Sequence, residues 1–293
     1  MVTWLGLSLW LALVAPLAMA MPAPEGSETS AGQAQTLTLG IFAYRPKVVM
    51  VRQWQPLVDY LNASLPEGLH VSLQVLTQPE MEEALRHDRL DLILTNPSHF
   101  IELRTLNQLS GALATLATMQ YGQPVSHLGG AVIRRSGPGG PGTLEELKHS
   151  RIAIVGKQYL GGYAAPAGDL KRRGIDPERL DYLVTGGSHD DVVHAVLEGR
   201  ADAGFIRTGV LESKLRDGTL LPGEVEVVEP QRHAGFPFAS STRLYPEWAF
   251  VAHWALPRDI SKRIAALLFE LSPHDPAARA AGIHGFTIPS DYA

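Results

Sequence analysis

The chain has 293 residues, 45% of them hydrophobic, and carries a formal net charge of −5 at pH 7. That length allows one large core or two smaller ones, and a mildly acidic chain whose one basic cluster, Lys171, Arg172 and Arg173, reads as a solvated helix end gives nucleic acid little to bind. With no cysteine, disulfides, thiolate metal sites, cysteine nucleophiles and a lipid-modified N-terminal cysteine are all excluded.

Residues 5–19 form an apolar run of signal-peptide length, closed by Ala18, Met19 and Ala20 in the small-x-small pattern that precedes cleavage. The run is short for a membrane span, and residues 1–4 hold no Lys or Arg, so only the α-amino group supplies the usual positive charge. Residues 1–20 are therefore expected to be a signal peptide, 21–35 a flexible leader rich in Ala, Gly, Ser and Glu, and the mature chain a soluble periplasmic protein.

Residues 36–42 alternate as a strand that ends at Tyr44, Arg45 and Pro46. A helix follows over 48–61, with Trp54, Leu57, Val58 and Leu61 on one side, then a strand at 69–76, a short charged helix at 80–86 and an apolar strand at 90–94. This strand and helix alternation is the pattern of a parallel sheet covered on both faces. Directly after the third strand, Asn96 can cap a helix with Pro97 at its first position, which places Ser98 and His99 near its tip. Residues 112–119 and 127–134 read as extended segments around Tyr121, Gly122, Gln123 and Pro124, a connection leaving a first lobe.

A second series begins at Arg151: a strand at 152–155, a loop with Gly161, Gly162 and Tyr163, a helix to Arg173 and a strand at 180–184. Ser188 caps the next helix with Asp191 three positions on, and Val192, Val193, Ala195, Val196 and Leu197 form its apolar face before Gly199 stops it. The strand at 202–206 then delivers Arg207 and Thr208 to another helix start, the place where open α/β sheets bind ligands. Residues 225–228 read as a return strand, 236–254 as an aromatic-rich stretch and 257–271 as an amphipathic helix. The fold class expected is α/β with two lobes, each a mostly parallel sheet flanked by helices: lobe 1 from 36–125 and 230–293, lobe 2 from 126–229.

The polar groups at the helix starts suit the binding of a small anion, because unpaired N–H groups and the helix dipole both favour negative charge there. Arg207 has a rival role in an ion pair with Asp202 or Glu212, and Tyr44 could pack on Pro46. Ser188, His189 and Asp190 carry the letters of a catalytic triad, yet consecutive residues entering a helix point about 100° apart and cannot form the relay. His189 and His194 face different sides of their helix, so no metal pair is expected, and no hydrolase, zinc-protease or phosphate-loop motif is present. Neither enzyme activity, nor a cofactor, nor a metal is expected.

With Tyr44, residues 96–100, 161–163 and 188–207 in these positions, the chain resembles the phosphonate-binding periplasmic proteins, a type II two-lobed solute-binding family, over residues 36–292. It is most similar to the sensor branch, the periplasmic input domains of histidine kinases like the tetrathionate sensor, through Gly161–Gly162, residues 204–212 (GFIRTGVLE) and residues 241–248 (STRLYPEW). Position and resemblance together imply a ligand set of Tyr44, Asn96, Ser98, His99, Gly161, Gly162, Tyr163, Ser188, His189, Arg207 and Thr208. Tyr121, Ser240 and Ser241 are weaker candidates, while the segment from Tyr245 to Trp248 is expected to serve lobe packing or a hinge. Phosphonate binders carry a hydroxyl-rich loop where this chain has Tyr159, Leu160, Gly161 and Gly162, and a carboxylate where Arg207 stands. A guanidinium there suits an anion without an ammonium group, such as a sulfur oxoanion. The implied partner is a membrane histidine kinase or an ABC permease. A sensor kinase would continue past Tyr292 into a membrane helix, so a detached module, a truncated product and a free-standing binder all stay open.

Overall fold

The computed structural model describes Met1 and residues 35–106, 108–120 and 123–292. The expected signal peptide (Met1 apart), most of the leader and Tyr121 lie outside the described residues. Strand β1 (Gln35–Phe42) buries Leu37, Leu39 and Ile41 on one face. Helix α1 (Lys47–Ser64) covers that face with Met50, Trp54, Leu57, Val58 and Leu61, the three-and-four spacing of an amphipathic helix. β2 (Leu69–Leu76) and β3 (Leu92–Thr95) flank β1, both parallel to it. Between them α2 (Gln78–Arg86) starts at Thr77, whose N–H and hydroxyl donate to Glu80 Oε2 at 2.8 and 2.9 Å. Asn96 caps α3 (Pro97–Arg104), its Oδ1 accepting from the His99 N–H at 3.1 Å. β4 (Leu109–Gln120) and β5 (Gln123–Val125) then form an antiparallel pair, and β6 (His127–Leu128) leaves the sheet.

The second sheet begins with β7 (Gly130–Arg135) and β8 (Arg151–Ile154). The expected loop at Gly161 is instead a π-helical turn, Leu160–Ala164, continuous with α4 (Ala165–Arg172). β9 (Asp181–Val184), α5 (His189–Leu197), β10 (Ala203–Arg207), α6 (Val210–Arg216) and β11 (Val225–Val227) complete it. Its order is β11-β7-β10-β8-β9, with Val192, Val193, Ala195 and Val196 of α5 packed on Ile133, Ala153 and Ile206. The chain returns through β12 (Tyr245–Pro246), which pairs antiparallel with β6. β13 (Ala249–His253) then inserts between β3 and β4, and after α7 (Arg258–Glu270) and α8 (Pro276–Ala281) the edge strand β14 (Ile283–Thr287) closes on β4. The lobe 1 order is β14-β4-β13-β3-β1-β2, with β5 attached to β4. Parallel pairing holds for a three-strand core in each sheet; the strands that return across the molecule enter antiparallel, which makes both sheets mixed.

The two crossings, β6 and β12, meet a seam of buried hydroxyls at Ser240, Ser241 and Thr242, each 0% exposed. Ser241 Oγ accepts from the Val132 N–H at 2.9 Å and donates to the Val228 carbonyl at 2.7 Å, while Thr242 Oγ1 accepts from the Gly130 N–H at 2.9 Å. Ser240 and Ser241, weak ligand candidates from sequence, are fully buried with their hydroxyls satisfied by backbone, and neither lines the cleft described below. Truncating Ser241→Ala leaves one N–H and one carbonyl buried without partners, at ~1–3 kcal/mol for an orphaned group. A loss of about 2 kcal/mol or more in urea unfolding is the expected result.

Candidate functional site

A cleft of about 1040 Å³ is lined by residues of both sheets. On the lobe 1 side Tyr44 and Trp248 meet edge to face with ring centroids 5.2 Å apart, and Phe42 lies 5.7 Å from Trp248. Gln53, one turn before Leu57 on α1, fixes this wall: its Nε2 donates to Tyr44 Oη at 3.0 Å and to the Ala281 carbonyl at 2.8 Å. Asn96, at the start of α3, opens onto the same cleft, as do Arg45 and Arg52.

The lobe 2 side is built from Tyr159, the π-helical turn, the start of α5 and the end of β10. Ser188 closes the start of α5, its N–H and hydroxyl donating to Asp191 Oδ2 at 2.6 and 2.9 Å. The Asp191 N–H donates to the Ser188 carbonyl at 3.2 Å, while the two N–H groups before it, at His189 and Asp190, occupy positions that no intrahelical carbonyl reaches. A Cβ on Gly162 would come within 2.7 Å of His189 Cε1, and one on Gly161 within 2.9 Å of Arg207 Cβ, so the two glycines let the turn sit directly on both side chains. Burial, with the Arg207 charge adding to it and Asp190 opposing it, holds the His189 imidazole down at about 4. It is neutral at pH 7, and its buried Nδ1 has no hydrogen-bond partner.

At the floor, Arg207 ion-pairs with Glu247, which stands just beyond the second crossing. The Glu247 side chain is 1% exposed and that of Arg207 36%. Neither rival partner is used: Asp202 Oδ2 accepts from the Arg151 N–H and Glu212 Oε1 from the Ala239 N–H, both at 2.8 Å. Higher on the lobe 2 wall, Lys214 Nζ lies 3.3 Å from Asp190 Oδ1.

Of the eleven residues expected to form the site, Tyr44, Asn96, Gly161, Ser188, His189 and Arg207 line this one cleft, and Gly162 backs it against His189. The others do not line it. His99 is 0% exposed, its Nδ1 lying 2.8 Å from Thr95 Oγ1 and its ring 6.1 Å from that of Phe42; the helix turn that presents Asn96 outward turns residue 99 into the core. Ser98, half-buried one residue earlier, is likewise off the wall. Tyr163 points into lobe 2, where its hydroxyl donates to Glu178 Oε1 at 2.9 Å and its ring packs edge to face on Tyr182. Thr208 is buried at the crossing, its Oγ1 accepting from the Gly129 N–H at 3.0 Å. Conversely, Glu247 and Trp248 line the cleft rather than serving packing alone, and Gln53, Arg45, Arg52, Tyr159 and Lys214 were not singled out from sequence. The one available signal was their position at strand ends or on helix faces beside residues that were.

Two lobes joined by two crossings, with helix starts from both opening on a cleft between them, define a solute-binding protein of the type II periplasmic class. Residues 39–292 match the family model described as ABC transporter, phosphonate, periplasmic substrate-binding protein, and the chain belongs to that family. It is 30% identical over 238 residues to the tetrathionate sensor histidine kinase TtrS of Salmonella typhimurium, a match that takes in 80% of this chain and 40% of the kinase. XAC2383 from Xanthomonas citri, solved with chloride and with ATP, is similar with a TM-score of 0.67 at 20% identity; in the chloride form the match covers 87% of this chain and 92% of that one. PhnD1 from Prochlorococcus marinus in complex with methylphosphonate gives a TM-score of 0.62 at 15% identity, over 88% of this chain and 93% of that one. Among the described residues no helix is long and apolar enough to cross a membrane.

Burial also holds His99 at about 4, against 6.5 when unfolded. Between those values the unfolded chain binds more protons, so this contribution to stability is complete above about pH 6.5 and is lost as the pH falls towards 4. The loss at pH 5 is about 2 kcal/mol. Urea unfolding of His99→Gln at pH 7 and pH 5 is expected to show a shallower fall than wild type by that amount.

Proposed function

We propose that the chain is a periplasmic binding protein that closes on a small oxyanion and acts as the ligand-sensing module of a two-component system. The anion is a sulfur oxoanion such as tetrathionate, or a phosphonate or phosphite-like group. The observation that carries this reading is the convergence on one cleft of the α3 start at Asn96, the α5 start at Ser188 and His189, and Arg207. A helix start contributes only ~0.3–1 kcal/mol to an exposed anion, so several must act together in a site that closes and excludes water. Closure is then the output, because a guest touching both lobes favours the closed state by its differential affinity. The match to a tetrathionate sensor kinase supports the signalling role and the sulfur oxoanion.

The family description favours a second role, delivery of a phosphonate-like anion to an ABC permease. Neighbouring genes separate the two: a kinase and response regulator for the first, a permease and ATPase for the second. Titration calorimetry with tetrathionate, thiosulfate, phosphite and methylphosphonate is expected to give saturable binding of at least one, and silence from all four would end the reading. An added methyl in Gly162→Ala meets His189 Cε1 at 2.7 Å and must displace the imidazole. That variant is expected to bind the same anion about tenfold more weakly, ~1.4 kcal/mol, with its circular dichroism unchanged.

A further inference from the structure

The charges that line the cleft are unevenly matched. Arg207 is held by Glu247, Lys214 by Asp190 at 3.3 Å, and Asp217 lies 3.4 Å from Arg216. Each acid of the wall therefore has a cation beside it. Arg45 and Arg52 line the same cleft from lobe 1, are exposed at its rim, and form no ion pair among the described residues. Lys47, between them in sequence, is by contrast bound to Glu80 at 2.7 Å, so carboxylates are within reach of this segment and these two guanidiniums are left without one. Arg45 lies over the Tyr44 ring, 5.4 Å from its centroid, which orients it along the aromatic wall of Phe42, Tyr44 and Trp248.

We infer that Arg45 and Arg52 form a second anion subsite at the mouth of the cleft, and that the ligand is an elongated dianion whose two charged ends are separated by an apolar or polarisable middle. The inference rests on the proposed anion-binding reading and specifies its ligand class. One end sits at the lobe 2 helix start beside His189 and Arg207, the middle lies along the aromatic rings, and the other end meets the unmatched guanidiniums. A compact anion of the same charge fills the first position and leaves the rim unmatched. Guanidinium contacts to an anion are charge-assisted and directional, so the rim is expected to discriminate by ligand length as well as by charge.

The test is titration calorimetry on wild type and on the double variant Arg45→Gln/Arg52→Gln at one physiological ionic strength, since surface charge effects are screened by salt. Tetrathionate and butane-1,4-disulfonate serve as long dianions, thiosulfate and methanesulfonate as compact anions. Both substitutions are at exposed positions, and circular dichroism verifies the fold. The expected result is a loss of about tenfold or more for the long dianions, with the compact anions changed by less than about twofold. Equal losses for long and compact anions would mean that the two arginines act on any anion through their general field rather than on the far end of a long one, and would overturn the inference. So would no loss at all, or a wild-type preference for compact anions; in those cases the anion-binding reading stands and the second subsite alone falls. If wild type binds none of the four, the second subsite falls, and the anion-binding reading falls with it only when phosphite and methylphosphonate are silent as well.

Discussion

Where the first crossing meets the π-helical turn there is no space for a side chain at Gly129, Gly130 or Gly161, and that steric constraint shapes the floor of the cleft. A Cβ on Gly129 would meet Ser240 Oγ at 2.7 Å, one on Gly130 would meet the Pro166 ring at 2.6 Å, and one on Gly161 would meet the Gly129 carbonyl at 2.8 Å. The backbone of Gly161 therefore packs on that of Gly129, and the buried hydroxyls of Ser240, Ser241 and Thr242 supply partners to N–H and C=O groups that no sheet pairs. The same contact brings the end of β10 against the chain leaving β12. Arg207 and Glu247, forty residues apart in sequence, meet because of it.

That meeting changes what the floor offers. Burying a carboxylate is costly unless it is paired, and Glu247, 1% exposed, has its counter-charge in Arg207 while its second oxygen has no partner. The guanidinium consequently presents spare N–H donors to the cleft rather than a free positive charge. His189 beside it is neutral, held at about 4 by burial and by that same arginine. The deep part of the cleft is thus rich in hydrogen-bond donors and nearly balanced in charge, and for the proposed anionic guest the net attraction falls to the helix starts and to Arg45 and Arg52.

Much of the architecture was legible in the sequence because it rests on short-range rules. The capping residues Asn96 and Ser188 announced their helices, and apolar periodicity named most of what α1 and α5 bury, Met50 of α1 excepted. Long-range geometry was not legible. Nothing local says that residues 283–287 form an edge strand on β4, since that pairing joins segments over 160 residues apart. The site divided along the same line. Which helix starts face the cleft follows from strand order, but whether residue 99 or residue 189 points into it depends on one step of helix rotation. The Arg207 partner depended on where the second crossing runs, so Asp202 and Glu212, close in sequence, were weighed while Glu247 was taken for packing.

The distribution of ion pairs bears on how closure is controlled. Apart from Arg207 and Glu247 at the hinge, the ion pairs among the described residues stay within one lobe: Lys47 with Glu80, Arg134 with Glu226, Arg173 with Glu145 and Glu229, Lys214 with Asp190. Pairs across the mouth would pull the empty lobes together and lower the discrimination between empty and occupied states. With charge satisfied inside each wall and the cross-lobe pair placed at the hinge, the energy that draws the mouth shut is left to the guest. The proposed output, a closed state, requires that arrangement, because a ligand shifts such an equilibrium only by the difference in its affinity for the two states.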